Sequence, residues 1–340
     1  MNKIAQWPAS RRTEVFEETA ARKNLPAAVV EKDFWVCWML QQIFSLQSFR
    51  DRLLFKGGTS LSKVFHAIGR FSEDIDLAVD YAALGFVGEK DPRQPGISRS
   101  KRERILSAML EECQRFIASE FLTELSRQCE GVLGSPGPWE LRVREDDPHI
   151  VLFRYPEGSR QPVSYVQPVV ILEMGTHAEF VPRGTFPIQP FIVEEFPTLG
   201  TGCDVTALLA KRTFWEKITI LHAEHHRPLD RPTPRRYSRH YYDVAVLSRS
   251  AVKDDALSDL ELLPRVVRHK QEFYPATWAS YETATLSGLK LYPREERIDA
   301  LKKDYGEMGV MIFGTPPSFE EIVSGIKELE RELNAIRPGL

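Results

Sequence analysis

The 340-residue chain has no strong charge of either sign: 45 lysines and arginines against 48 acidic residues leave a formal net charge of -3. A chain so balanced carries no global field for nucleic acid, and any such contact has to come from local basic patches. Cysteine is scarce and scattered. Cys37, Cys113, Cys129 and Cys203 form no CxxC pair and no metal-ligand spacing, so neither a disulfide framework nor a zinc module has residues to build it. They read as reduced structural thiols, with Cys37 a small core hydrophobe in an apolar run. No stretch reaches the ~18 apolar residues of a membrane span. The opening MNKIAQWPASRRTEVFEE lacks the apolar centre of a signal peptide, and the expectation is a cytoplasmic protein. Internal repeats and long low-complexity tracts are missing too. So are GxxxxGK[ST] and GxGxxG, which sets aside a P-loop and a dinucleotide fingerprint. No GxSxG elbow offers a nucleophilic serine.

What is present suits a globular protein. Hydrophobic residues make up 42% and charged residues 27% of the chain, enough for one large domain or two ordinary ones. Pro26 opens a helical run, PAAVVEKDFWVCWMLQQIF, apolar around most of its circumference and hence buried. A short strand, LLF at 53–55, leads into Gly57 and Gly58 and then a helix. There Leu61, Val64, Phe65 and Ile68 share one face. IDLAV at 75–79 reads as the next strand. Residues 84–101 are rich in Gly, Pro and charge and read as an exposed loop, with a helix following to about 125. WELRVRE, HIVLFRY and VQPVVILEM have the composition of a β-meander. A helix is expected from Asp204 as N-cap through DVTALLAKRTFWEKITILHAE, then a polar loop at 224–237, then mostly helix. The fold class is α+β, with a mixed sheet flanked by helices in a domain at 1–200 and a mainly helical domain at 201–340.

The chemistry concentrates between Lys56 and Leu77. Residues i and i+2 of a strand project from one face, so Asp74 and Asp76 point together while Ile75 enters the core. Adjacent carboxylates repel unless a cation lies between them. Hard Mg²⁺, with Mn²⁺ as its substitute, prefers one or two carboxylates plus substrate phosphate oxygens. Gly57 and Gly58, lacking Cβ, let a phosphate approach the backbone at a helix N-terminus. Thr59 and Ser60 add hydroxyls, and Lys63 and Arg70 add positive charge. A lone DxD or a lone Gly-Gly turn is ordinary and most often structural. Strand, Gly-Gly, helix, then a DxD strand beginning 16 residues after Gly58 is the active-site layout of polymerase-β-type nucleotidyltransferases.

FKGGTSLSKVF followed by RFSEDIDL resembles the signature of the AbiEii/AbiGii toxin family of nucleotidyltransferases. EKDFWV at 31–36, RTFWEKITILHAEHHR at 212–227 and SRHYYDVAVL at 238–247 resemble further motifs of that family, as do DYGEMGVMIFG at 304–314 and PSFEEIVSGIKELE at 317–330. The likeness spans most of the chain. It implies transfer of a nucleoside monophosphate from a nucleoside triphosphate (in some members onto the 3′ end of tRNA, blocking translation) and a cognate antitoxin, in toxin–antitoxin or phage-defence systems. Asp74 and Asp76 match the family's metal pair, Lys217 its helical lysine and Asp243 its last aspartate. The third carboxylate of polymerase-β-type enzymes is expected on a neighbouring strand, where VVILEMG offers Glu173 in place of the commoner aspartate.

Two residues carry open alternatives. Lys217 is either a solvated lysine or a phosphate ligand that stabilises the leaving pyrophosphate. Asp243 is either the i, i+4 partner of Arg239 or a base toward the acceptor hydroxyl. The run at 222–240 holds His222, His225, His226 and His240 without the spacing of a closed zinc site. Arg227, Arg235, Arg236 and Arg239 make it either a solvated loop or an RNA-backbone patch, with Tyr237, Tyr241 and Tyr242 as stacking candidates. Arg99, Lys101, Arg102 and Arg104 form a second, weaker patch. Transfer to a protein or small molecule, and a non-catalytic binding module, are the competing functions.

Overall fold

A computed structural model describes residues 1–157 and 167–337. The chain forms two compact units, Met1–Val64 with Phe71–Leu208, and Phe65–Arg70 with Leu209–Leu340.

The first unit is built on a seven-stranded mixed sheet in the order β3-β4-β5-β2-β1-β7-β6. Its strands are β1 Leu53–Lys56, β2 Asp74–Val79, β3 Glu140–Arg144, β4 Asp147–Arg154, β5 Val169–Gly175, β6 Arg183–Ile188 and β7 Cys203–Leu208. The meander expected from composition is β3, β4 and β5, each antiparallel to the next; Val166, which opens the VQPVVILEM stretch, lies outside the described residues. β2 runs parallel to β5 and antiparallel to β1. This places the DxD strand at the centre of the sheet.

Helix Ala27–Ser45 is buried along nearly its whole length, as an apolar circumference requires. Trp35 and Trp38 stack on Tyr155 and Phe153 at ring separations of 5.5 Å. Burying rings of this size supplies much of the packing of such a core. The same helix brings buried charge. Asp33 pairs with Lys63 at 2.8 Å and accepts the Phe191 N–H at 2.7 Å. The Lys63 ammonium also lies over the Phe191 ring, 4.1 Å from its centre.

Three elements depart from expectation. The helix after Gly-Gly spans only Gly57–Lys63. His66 takes a left-handed backbone at φ 47°, and 65–70 joins the second unit, so the helical period beyond Val64 marks burial in two different places. Asp204 caps nothing. Residues 203–208 are β7, whose Val205 and Ala207 alternate into the core, and the helix begins at Ala210. The helix after the exposed loop continues to Leu133 through a π-helical turn at Ile117–Phe121.

Among its described residues the second unit is helical, apart from an isolated antiparallel bridge between Arg70 and Ile312. Helices Ala210–His225 and Ser238–Leu247 are joined by the expected loop, and helices 251–257, 262–273, 295–308 and 319–335 complete it. Ser318 and Glu321 form a capping box on the last of these. The cysteines are free, and Cys203 alone is not fully buried. No described helix is long and apolar enough to cross a membrane.

The Asp33–Lys63 pair makes a stability test. Lys63→Met leaves a buried carboxylate without its cation and should cost about 3–5 kcal/mol in urea unfolding, while Lys63→Met with Asp33→Asn should recover most of it. Equal stability of the single and double variants would show that the pair contributes nothing.

Candidate active site

Asp74 and Asp76 occupy alternate positions of β2, half-buried on one face, while Ile75 is fully buried on the other. Register brings more charge to that face. Asp76 sits opposite Glu173 on β5 and opposite Lys56 on β1. Paired residues of neighbouring strands lie on the same face, so Lys56, Asp76 and Glu173 form one row across three strands. Glu173 is exposed. The expected third carboxylate therefore stands beside the DxD pair. Lys56 escaped sequence reasoning, although its place just before the glycines on the strand facing Asp76 was a usable signal.

Gly57 has a task that the sequence did not reveal. It lies at φ +80°, and a Cβ there would fall 1.8 Å from Asp76 Oδ2. The missing side chain makes room for the carboxylate itself, in a backbone conformation that glycine adopts freely. Gly58 lies in the first turn of the helix, half-buried. Thr59 and Ser60 are fully buried. The Thr59 hydroxyl bonds the Asp74 carbonyl and reaches the Ser72 hydroxyl at 2.9 Å. The Ser60 hydroxyl donates to the Gly57 carbonyl at 2.9 Å. These two hydroxyls hold the turn against the carboxylate strand, and Lys63 is engaged with Asp33.

Behind β2, Lys32 donates to Glu73 at 2.5 Å in a buried ion pair. The consecutive residues Lys32 and Asp33 of the EKDFWV segment thus grip the start of β2 and the end of the 57–63 helix. No role for them was read from sequence beyond family likeness. A buried lysine and aspartate in a largely apolar helix were the available sign.

Crowding shows in the electrostatics. Burial first, then Glu73, Glu173 and Asp76, push the Asp74 carboxyl up to about 6, with Lys32 opposing. Asp74 Oδ1 is buried without a hydrogen-bond partner among the described residues. An unpartnered hard oxygen amid carboxylates fits a Mg²⁺ site, whose remaining positions water and phosphate oxygens fill. Among the described residues no three His, Cys, Asp or Glu side chains are already closed around a cation position.

The remaining candidates lie in the second unit. Asp243, wholly buried, accepts from Arg70 at both oxygens, Nε to Oδ1 at 2.7 Å and a terminal nitrogen to Oδ2 at 2.8 Å. Lys217 Nζ lies 2.8 Å from the same Oδ2. Arg239, the partner in one of the two readings of Asp243, is exposed, and Arg70 takes the carboxylate instead. Burial raises the Asp243 carboxyl, but Arg70 and then Lys217 outweigh it and hold the group below the usual carboxylate range. Arg70, Lys217 and Asp243 come together; Lys63 belongs to another cluster.

The 222–240 run divides. His222 is buried with both ring nitrogens engaged, Nε2 with the Ser280 carbonyl at 3.0 Å and Nδ1 with the Lys290 N–H at 3.1 Å. Tyr241 and Tyr242 are buried and cannot stack on bases, because helix 238–247 turns them into the core. Arg227 pairs with Glu224 at 2.6 Å and lies 4.7 Å from the Trp278 ring centre. Arg235 and Arg236 are exposed on a loop fixed by Asp304, which accepts the Arg236 and Ser238 N–H groups at 2.6 and 2.9 Å.

The raised Asp74 carboxyl sets a pH dependence. Its folded-state value lies above the ordinary 3.8, so the folded state holds this proton more tightly than the unfolded one. Ionising it costs stability, with the cost absent below about pH 4 and complete above about pH 6. In a metal chelator Asp74→Asn should be more stable than wild type by about 2 kcal/mol at pH 8 and equal to it near pH 4. A stability difference that does not change with pH would remove the crowding argument.

A sequence model of the nucleotidyltransferase AbiEii toxins of type IV toxin–antitoxin systems matches residues 38–325. A search of the curated proteins finds no match. Among solved structures, the nucleotidyltransferase toxin MenT4 from Mycobacterium tuberculosis H37Rv is similar at 15% identity and a TM-score of 0.49, over 95% of this chain and 93% of that one. The family match covers most of the chain and includes both the carboxylate strand and the Lys217 and Asp243 helices. The protein therefore belongs to the AbiEii family of nucleotidyltransferase toxins.

Proposed function

We propose that this toxin transfers a nucleoside monophosphate from a nucleoside triphosphate to the 3′ end of tRNA, using Mg²⁺ held by Asp74, Asp76 and Glu173. One observation carries this reading: three carboxylates share a face of β2 and β5, with Asp74 Oδ1 buried and unpartnered. Carboxylates in that arrangement hold divalent cations better than they hold each other. Mg²⁺ bound there supplies charge neutralisation at the attacking and leaving oxygens of an in-line displacement.

The protein's own part is positioning. Asp74 and Asp76 are fixed by a central strand, by the Thr59 hydroxyl and by the space at Gly57. Gly58, in the first turn of the helix, lets a phosphate approach the backbone closely. Lys217 and Arg70 take phosphate oxygens of the triphosphate and stabilise the charge that develops on pyrophosphate. Arg235, Arg236 and Arg239 are exposed cations that suit an RNA backbone, and Arg227 braces their loop on Glu224. A cognate antitoxin is the expected partner, since the family operates in toxin–antitoxin pairs.

The decisive assay incubates the protein with each labelled triphosphate, Mg²⁺ and total RNA. Label should appear on RNA of tRNA length and be removable by a 3′ exonuclease. Label on protein or metabolite would move the acceptor elsewhere, and no label with any triphosphate would end the transferase reading. Asp76→Asn should abolish transfer with its melting temperature unchanged or raised, and Glu173→Gln should lower turnover about 100-fold or more. Wild-type turnover in either variant would take that residue out of the site.

The arginines have a separate readout. Arg235→Ala with Arg236→Ala should raise the RNA KM and lower the salt slope of RNA binding by about 2, one for each phosphate contact. The triphosphate KM should not move. An unchanged salt slope would make 224–237 a solvated connector.

A further inference from the structure

Asp243 is a wholly buried carboxylate, and its partners are unusual for a base. Both of its oxygens are engaged, one by Arg70 Nε and the other by Arg70 and Lys217 together. None of its surface is exposed. A carboxylate that already accepts three charge-assisted bonds has little capacity left to take a proton from a hydroxyl. Removing that proton would also require neutralising the anion between two buried cations. Such a geometry serves orientation instead. A guanidinium gripped through two nitrogens cannot rotate.

The backbone agrees. Arg70 is bridged antiparallel to Ile312, and Gly69 accepts the Phe313 N–H at 2.9 Å. Arg70 is thus held by its main chain and by its side chain, while Lys217 is held by the middle of helix 210–225. The surroundings are positive beyond the pair. Burial lowers the Lys217 ammonium, with Arg70 and Arg239 adding to the effect against Asp243. His240, one helical turn before Asp243, is driven well below its usual range by burial and then by Lys217 and Arg239. Its Nδ1 is buried without a hydrogen-bond partner among the described residues. A neutral imidazole with an open nitrogen beside two fixed cations is the composition of an anion receptor.

We propose that Asp243 is a positioning residue that locks Arg70 and Lys217 into a preformed receptor for the polyphosphate of the nucleotide, with His240 as a neutral member, and that it is not the base toward the acceptor. The inference rests on the transferase reading above for its ligand, but its geometry belongs to the second unit alone.

Inorganic tripolyphosphate in EDTA is the probe, since it needs neither the base nor the metal. Asp243→Asn should raise its dissociation constant at least about tenfold, the scale of one or two lost charge-assisted bonds. Residual transfer should show a raised triphosphate KM and an unshifted pH profile. Asp243→Glu should bring binding back to within about threefold. Wild-type tripolyphosphate affinity in Asp243→Asn, with turnover and the acid limb of its profile lost, would overturn the inference in favour of a base. Should Asp243→Asn fail to fold, Arg70→Lys decides. It keeps the charge but breaks the two-point grip, so about tenfold weaker binding supports the receptor and unchanged binding overturns it. The labelled-triphosphate assay separates the two claims: no transfer by the wild-type protein with any triphosphate overturns the transferase reading, while tripolyphosphate binding still reports on Asp243.

Discussion

Three carboxylates on one face of neighbouring strands repel one another, and that repulsion organises the first unit. Asp74, Asp76 and Glu173 are brought together by β2 and β5 in parallel register. The surrounding residues make this tolerable without removing it. Lys32 neutralises Glu73 at the strand's entrance, Thr59 secures the Asp74 backbone, and Gly57 surrenders its Cβ position to the Asp76 carboxylate. What is left is a half-buried acid raised toward neutrality with one oxygen unpartnered. A folded state that keeps such a group gives up stability to hold these carboxylates together.

The second unit poses the same problem with the sign reversed. Arg70 and Lys217 are buried cations that would repel, and Asp243 between them is the compensation. Removing one member of such a cluster leaves charge without a partner and is costly, so the three behave as a unit. The protein thus contains a negative cluster suited to metal and a positive cluster suited to phosphate. Arg70 lies only four residues before Asp74 in the chain. One short segment therefore carries a member of each cluster.

Much of this was legible because it is periodic. The i, i+2 spacing of Asp74 and Asp76 survived into the structure, as did the buried helix at 27–45 and the meander that supplies Glu173. What was hidden depended on tertiary partners. Lys63 looks like a phosphate ligand until Asp33 arrives from a distant helix. Thr59 and Ser60 look like donors to a nucleotide until their hydroxyls find backbone carbonyls. Asp243 and Arg239 have ideal helical spacing, yet Arg70 takes the carboxylate from 173 residues away. The mistaken helix at 204 has the same origin: its composition is neutral between helix and strand, and pairing with β6 decides. Tyr241 and Tyr242 show the limit of composition, since aromatic residues near a basic loop serve the core here.

The central claim is that the β2–β5 face binds divalent metal through its carboxylates, and a direct image would test it. Crystals soaked with Mn²⁺ and a non-hydrolysable nucleoside triphosphate, measured at the manganese edge, locate the ion without reference to activity. The account predicts an anomalous peak about 2.2 Å from oxygens of Asp74 and Asp76, with Glu173 beside it. A peak elsewhere, or none on this face with the triphosphate bound, would contradict it.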